Sequence, residues 1–252
     1  MSALAIINAE RIKLSTTRAT LWIAVMVSAL SLVLAALQGS LAHDGAPLEP
    51  PRTAIGAAVF GVPVLMVLAS MTMTAEYRSG MIRTTFVATP NRAQVLVSKA
   101  VVVSVFSAVF AALMVVGAVA VARLFNTSTS AANLSLTLPE MWHLVGAVAL
   151  YAALAAVLGV GVGALLRAGP GAVAVLLLWP LVVEPLLGNL PDVGSEVGPY
   201  LPFGNIFIVT EVPWLYPTYA MPWGPVGSLV YFAAIVTAVM GAAIVVVNVR
   251  DA

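Results

Sequence analysis

The sequence predicts an all-α polytopic membrane protein with six transmembrane helices, an interfacial helix ahead of the first, a transverse helix in an insert after the second, and a re-entrant or short-helix external segment before the sixth. Three observations predict it. Only 8% of the 252 residues are charged and 62% are hydrophobic, with a mean hydropathy of +1.06, where soluble domains carry about a quarter charged residues. The apolar residues fall in long runs, and a bilayer core about 30 Å thick needs roughly 20 of them per helix, so about six spans fit with short connections. The Lys and Arg residues gather on one side of those runs. One membrane domain is therefore expected over residues 1–252, with no room for a sizeable soluble domain. The chain has no cysteine, which excludes disulfides and thiolate metal sites. Its start has no short charged stretch leading to a signal cleavage site, so Met1 onward is read as mature protein.

Taken in order, residues 2–17 put Leu4, Ile7 and Leu14 on one helical face. Arg11 intrudes on that face and must snorkel. The first uninterrupted run, 19–39, is the first span, with Trp22 as an interfacial anchor. A loop rich in proline and acid leads to span two at about 54–74, then the basic insert 75–99, then span three at about 100–122. The polar stretch 123–140 is a loop. Span four covers roughly 141–166, and the turn "RAGPG" leads into span five at about 172–188. Residues 189–224 interleave six prolines with seven aromatics, too apolar for an aqueous loop and too broken by proline for a span. The last span is about 225–247.

Six spans put both ends of the chain on one side, and charge selects which. That side collects Arg11, Lys13, Arg18, Arg78, Arg83, Arg92, Lys99, Arg167 and Arg250, against Arg52 and Arg123 on the other. By the positive-inside rule the nine face the cytoplasm. The insert "AEYRSGMIRTTFVATPNRAQVLVSK" is then the largest cytoplasmic element between spans. Gly80 offers a left-handed C-cap that ends the continuation of span two at about Ser79. A short helix follows at about 81–87. Thr89-Pro90 reads as N-cap and first helical residue of a helix that runs through Lys99 into span three. Charge alone favours a simple topology anchor. A capped transverse helix in 25 residues favours a protruding handle that a cytoplasmic partner pushes.

The stretches "AERIKLSTTRATLW" and "AEYRSGMIRTTFVATPNRAQVLVSKA", with the six-span pattern and the proline- and aromatic-rich segment before the last span, resemble an ABC-2 type transporter permease. The Ala- and Val-rich composition is similar to actinobacterial members. The resemblance covers essentially the whole chain and is most specific in "EYRSGMIRTT" and "TPNR". It implies that the insert carries a coupling helix docking into a separate ATPase subunit, at 81–87 and its flanks, with Arg83 and Phe86 at the contact. It implies that Glu76 closes span two and transmits motion, with Arg78, Arg83 and Arg92 as candidate partners. The N-terminal helix, with Glu10, Arg11 and Lys13, would lie against the ATPase interface. Spans two and five would line the path, where Phe60, Met66 and Met71 offer an adaptable apolar surface. The expected protein is the permease subunit of an ATP-driven exporter of hydrophobic or amphipathic cargo in the bacterial plasma membrane. Its partners would be two ATPase subunits and a second permease copy or homologue, with the bilayer around it and no nucleic acid. The chain lacks G-x-x-x-x-G-K-[ST], so ATP and Mg are expected on the partner ATPase and no cofactor on this chain.

Weaker signals divide. "GVGVG" at 159–163 lies mid-span with no preceding strand, so Gly159 and Gly163 read as a helix contact rather than a dinucleotide loop. Glu184, between Pro180 and Pro185, is a functional candidate on the path by virtue of its depth; the competing reading is an interfacial residue reaching outward. For 189–224 an external lid with Trp214 and Trp223 competes with a loop resting on lipid. His43 and His143 lie in or beside separate loops, with no second ligand at metal spacing. A membrane enzyme would need a catalytic constellation, and an ion-coupled carrier would need repeats with several midplane ionisable residues; neither is visible.

Overall fold

A computed structural model describes residues 3–43, 47–127, 129–217 and 219–249, and the described residues form helices without a β-strand. Asp44, Arg250 and the first residue of the predicted 2–17 helix lie outside that set. The helices are α1 (Ala3–Thr16), α2 (Arg18–Leu41), α3 (Gly56–Ser79), α4 (Met81–Ala88), α5 (Arg92–Phe125), α6 (Pro139–Leu166), α7 (Gly169–Asn189), α8 (Pro202–Thr210) and α9 (Gly224–Val249). Six of them, α2, α3, α5, α6, α7 and α9, are long and apolar enough to cross a membrane. The chain is thus an all-α polytopic membrane protein.

The six are not equivalent. The most apolar windows of α3 and α6 are 72% and 61% buried, against 22–33% for the other four. α3 and α6 therefore form the centre, and the others ring them with apolar faces turned to lipid. Small residues permit the central contact. A Cβ on Gly159 would collide with the Met66 carbonyl, and one on Gly163 would come within 2.7 Å of the Ser70 carbonyl oxygen. The G-x-x-x-G reading of this pair holds, because glycine lets the two backbones touch.

At one end of the bundle the insert folds nearly as expected. α3 stops at Ser79 because Gly80 takes the left-handed conformation, φ 72, and its N–H returns to the Tyr77 carbonyl. α4 then runs from Met81 to Ala88. One expectation fails here. Thr89 is extended and ends α4, and the N-cap of α5 is Asn91, whose Oδ1 accepts from the Gln94 N–H at 3.0 Å. Pro90 holds Thr89 extended, and an Asn in extended backbone caps at least as well as Thr, so the helix starts two residues later.

α1 also differs from its predicted face. Ile6, Glu10 and Leu14 turn inward, while Leu4 is 75% exposed and Arg11 is exposed too. The apolar pattern of this helix is weak, and an ion pair from Glu10 sets its rotation instead.

At the opposite end, residues 189–224 form short turns and α8, which buries Phe203, Gly204, Asn205, Ile206 and Phe207 against α6 and α9. Tyr151 of α6 meets Phe203, Phe207 and Phe232 edge-on at 5.5–6.3 Å between centroids. The short-helix expectation holds, and a loop merely resting on lipid is excluded.

Candidate functional site

Four charged side chains from three helices meet where the insert joins the bundle. Glu10 and Lys13 come from α1, Glu76 from the last turns of α3, and Lys99 from the second turn of α5. Lys99 Nζ lies 2.7 Å from Glu10 Oε2 and 2.6 Å from Glu76 Oε1. Lys13 Nζ lies 2.8 Å from Glu10 Oε1 and 2.8 Å from Glu76 Oε1. The Thr85 hydroxyl of α4 donates to Glu76 Oε2 at 3.4 Å. Two ammonium groups thus bridge two carboxylates in a closed ring with no net charge. Lys99 is 1% exposed, with Glu10 and Glu76 nearly as deep.

The physics of such a ring is asymmetric. Burying ions costs several kcal/mol each, and mutual attraction roughly recovers it, so the intact ring adds little net stability. Removing one member leaves a buried charge uncompensated. The ring therefore fixes geometry: α1, α3, α5 and, through Thr85, α4 must keep one mutual arrangement to keep it closed. A push on α4 or α1 is delivered to α3 and α5 together.

Lys13, like Glu10, lies outside the spans. Burial works against its charge, but hydrogen bonds to Glu10 and Glu76, and their charges, outweigh burial and raise its pKa above the usual lysine value. A raised lysine pKa contributes stability below the unfolded value and loses it only as pH climbs through the folded one. At Lys13 that window is alkaline, so protonation of this lysine is no switch near neutrality.

The predicted partners of Glu76 are corrected by this geometry. Arg78 is exposed and lies two residues on, facing away from Glu76. Arg83 is exposed on α4. Arg92 sits with its guanidinium 5.1 Å from the Phe86 ring centroid and donates from Nη1 to the Val247 carbonyl at 2.8 Å. Lys99, counted in sequence only as a topology charge, is the central partner. It is the one charged residue between Arg92 and Arg123, and that isolation inside an apolar run was the available signal.

A cavity of about 240 Å³ adjoins the ring and includes Met71 and Met81 in its wall. A larger one, of about 630 Å³, lies between α3 and α7, with Met71, Thr74, Arg78, Gly169 and Val173 along it. Phe60 is half-buried, and Met66 is fully buried against α6. Phe60, Met66 and Met71 thus follow one another along α3 without forming one surface.

Glu184 lies apart from them. It is fully buried in α7, which excludes the outward-reaching alternative. Its carboxylate accepts from the N–H groups of Phe203 and Gly204 at 3.1 and 3.2 Å, from Trp179 Nε1 at 3.0 Å and from the Tyr216 hydroxyl at 3.3 Å. The residue before α8, Leu201, has no side-chain cap to offer. Glu184 supplies that cap from another helix, its charge matching the positive end of the α8 dipole. Burial, then the charge of Glu184, pushes the Tyr216 phenol up, so it remains a donor.

Trp214 stacks on Phe207 at 3.9 Å between centroids. Trp223 stacks on Tyr231 at 5.1 Å and donates from Nε1 to Asn205 Oδ1 at 2.9 Å. They belong to separate aromatic groups over the same end of the bundle.

No curated protein matches the chain. A protein-family profile does, over residues 6–168, which takes in α1, the ring, the insert and four of the six spans: it describes an ABC-2 family transporter protein. The chain belongs to the ABC-2 family of transporter proteins.

Proposed function

We propose that this chain is the permease subunit of an ATP-driven exporter and that the insert 75–99 is the element through which a separate ATPase drives it. The observation that carries the reading is the ring of Glu10, Lys13, Glu76 and Lys99, which with the Thr85 hydrogen bond ties α4 and the N-terminal helix to α3 and α5. A topology anchor needs no such lock. ATP and Mg would bind two ATPase subunits, one under each of two permease copies, and closure of the ATPases would press on α4. Arg83 and Phe86 would meet the ATPase, with Arg78, Arg92 and Arg11 at the margins of the contact and Glu10 buried behind it in the ring. The ring would convert that push into movement of α3 and α5.

Cargo would pass along α3 and α7, whose shared cavity gives Met71 an open face. Phe60 lies further along, with Met66 and Glu184 behind that surface. Trp214 and Trp223 would close the path on the outer side. The cargo is hydrophobic or amphipathic, because apolar residues dominate these walls. Both ends of the chain would face the cytoplasm of a bacterial cell.

Two measurements test the reading. Orientation is read from single cysteines, clean in a chain that has none. An impermeant thiol reagent applied to intact cells with a permeable outer envelope should label Thr137→Cys and spare Ala168→Cys. Reverse labelling would overturn the orientation, and labelling of both would break the six-span topology. Coupling is read from co-purification of ATPase and from cargo efflux. Arg83→Glu should weaken docking tenfold or more, since charge reversal at a desolvated contact costs roughly 2 kcal/mol or above, and Phe86→Ala should weaken it by removing an apolar anchor. If both variants keep a full complement of ATPase and normal efflux, the insert is only a topology anchor.

A further inference from the structure

At the end of the bundle opposite the insert, a cavity of about 380 Å³ lies between the end of α8 and the irregular chain that follows it. That volume is in the range of small-molecule sites, roughly 300–1,000 Å³. Its walls are aromatic: Phe207, Trp214, Tyr216 and Tyr219 line it, with Met221 beside them. Phe207 and Trp214 stack, Trp214 meets Tyr216 edge-on at 6.2 Å, and Tyr216 lies 6.5 Å from Tyr219. Both phenol hydroxyls are engaged elsewhere, Tyr216 with Glu184 and Tyr219 with the Gly188 carbonyl at 2.6 Å. The two tyrosines therefore offer the cavity ring carbon rather than a free hydroxyl.

The one charged residue in the lining is Glu211, and it stands where two ordinary rules oppose it. It ends α8 in the left-handed backbone region, at φ 58, where glycine or asparagine is usual and a longer side chain is disfavoured. It also sets a negative charge at the helix C-terminus, whose free carbonyls already carry partial negative charge. Among the described residues it is exposed and no Lys or Arg forms an ion pair with it.

A cation in the cavity resolves the second opposition and gives an acid a reason to stand against the first. It neutralises the carboxylate, complements the helix end and sits against rings whose faces attract positive charge. A hydrated metal ion is a poor fit, because one carboxylate amid aromatic rings cannot replace its oxygen shell. An anion or a neutral compound leaves Glu211 unanswered. At the same end Glu49, Glu140, Asp192 and Glu196 outnumber Arg52 and Arg123, so the net field there draws cations in.

We propose that this cavity binds a hydrophobic organic cation, a protonated or quaternary amine or a phosphonium with apolar arms, and that such cations are the cargo class met on this side of the membrane. The cargo role rests on the transport reading above; the binding does not.

The test uses the full-length chain in nanodiscs of zwitterionic lipid with two ions of one shape and opposite charge, tetraphenylphosphonium and tetraphenylborate. Equilibrium dialysis is corrected with empty nanodiscs for partition into lipid. Saturable binding is expected for the phosphonium and not for the borate. Glu211→Gln and Trp214→Leu should each weaken the phosphonium about tenfold, the scale of one desolvated cation contact. Glu211→Gly should lose the same affinity with its melting temperature held or raised, because it relieves the backbone, which separates a lost ligand from a lost fold. No saturable phosphonium binding, equal binding of the two ions, or an unchanged affinity in both Glu211 variants overturns the proposal. The measurement needs no ATPase, so its failure leaves the co-purification result standing, and the reverse holds as well.

Discussion

Lys99→Ala is expected to destabilise the chain by about 3–5 kcal/mol, the usual consequence of taking one member from a buried ion group. Lys99 is 1% exposed and, among the described residues, is the one cation of α5 that pairs with Glu10 and Glu76. Without it the two carboxylates share Lys13 alone, and one buried negative charge has no answer. The sharper experiment keeps the packing volume. Lys99→Met leaves an apolar stem in place, so its loss of melting temperature in detergent reports the charge. Glu76→Gln removes the opposite charge, and the double variant returns the ring to neutrality with Lys13 and Glu10 still paired. The double variant should therefore be more stable than the sum of the single losses requires, by about 1–3 kcal/mol. Simple additivity would mean that the four side chains are neighbours without being a unit, and the lock would be lost as an explanation of how α4 would move α3. Arg83→Glu, an exposed change on the same insert, should leave melting nearly unchanged, so stability and docking separate on two positions 16 residues apart in sequence.

The spans were legible because hydropathy over some twenty residues is a strong local signal, and the end of α3 was legible because only a residue such as Gly80 takes the left-handed cap without strain. Failures came where the deciding interaction is remote in sequence or where two local signals adjoin. Glu10 and Lys99 lie 89 residues apart, and no local pattern couples them; the weak apolar stripe of α1 was read as setting its face when the ion pair sets it. Thr89 and Asn91 are both good caps two residues apart, and the proline between them decided for the second. Arg92 was paired in prospect with Glu76 by sign of charge alone, whereas its planar guanidinium found an aromatic ring and a carbonyl. Glu184 was recognised by depth, since an acid between two prolines in an apolar run is conspicuous. Its role as the cap of α8 depends on a helix that begins 18 residues later with a leucine at its cap position, and only the fold brings the two together.

Glu184→Leu should release the end of the bundle that lies opposite the ring. The substitution leaves two backbone N–H groups of α8 and the Tyr216 hydroxyl without their acceptor in a buried place, and the partly exposed Trp179 indole without it as well; unsatisfied buried donors cost about 1–3 kcal/mol each, with less than additive totals. A loss of about 3 kcal/mol or more is expected, concentrated on α8 and the residues after it, because the central contact of α3 with α6 is untouched. Glu184→Gln should fall between, since its amide oxygen still accepts while its NH2 faces other donors. A cysteine at Ser195, exposed beside this segment, reads the local effect: thiol modification and limited proteolysis within 189–224 should both accelerate in Glu184→Leu, while ATPase co-purification through the distant insert stays intact. Unchanged protection of the segment would show that aromatic packing of Phe203 and Phe207 holds α8 without the carboxylate, and the buried acid would then need a different explanation, in passage of cargo rather than in the architecture of this end of the bundle.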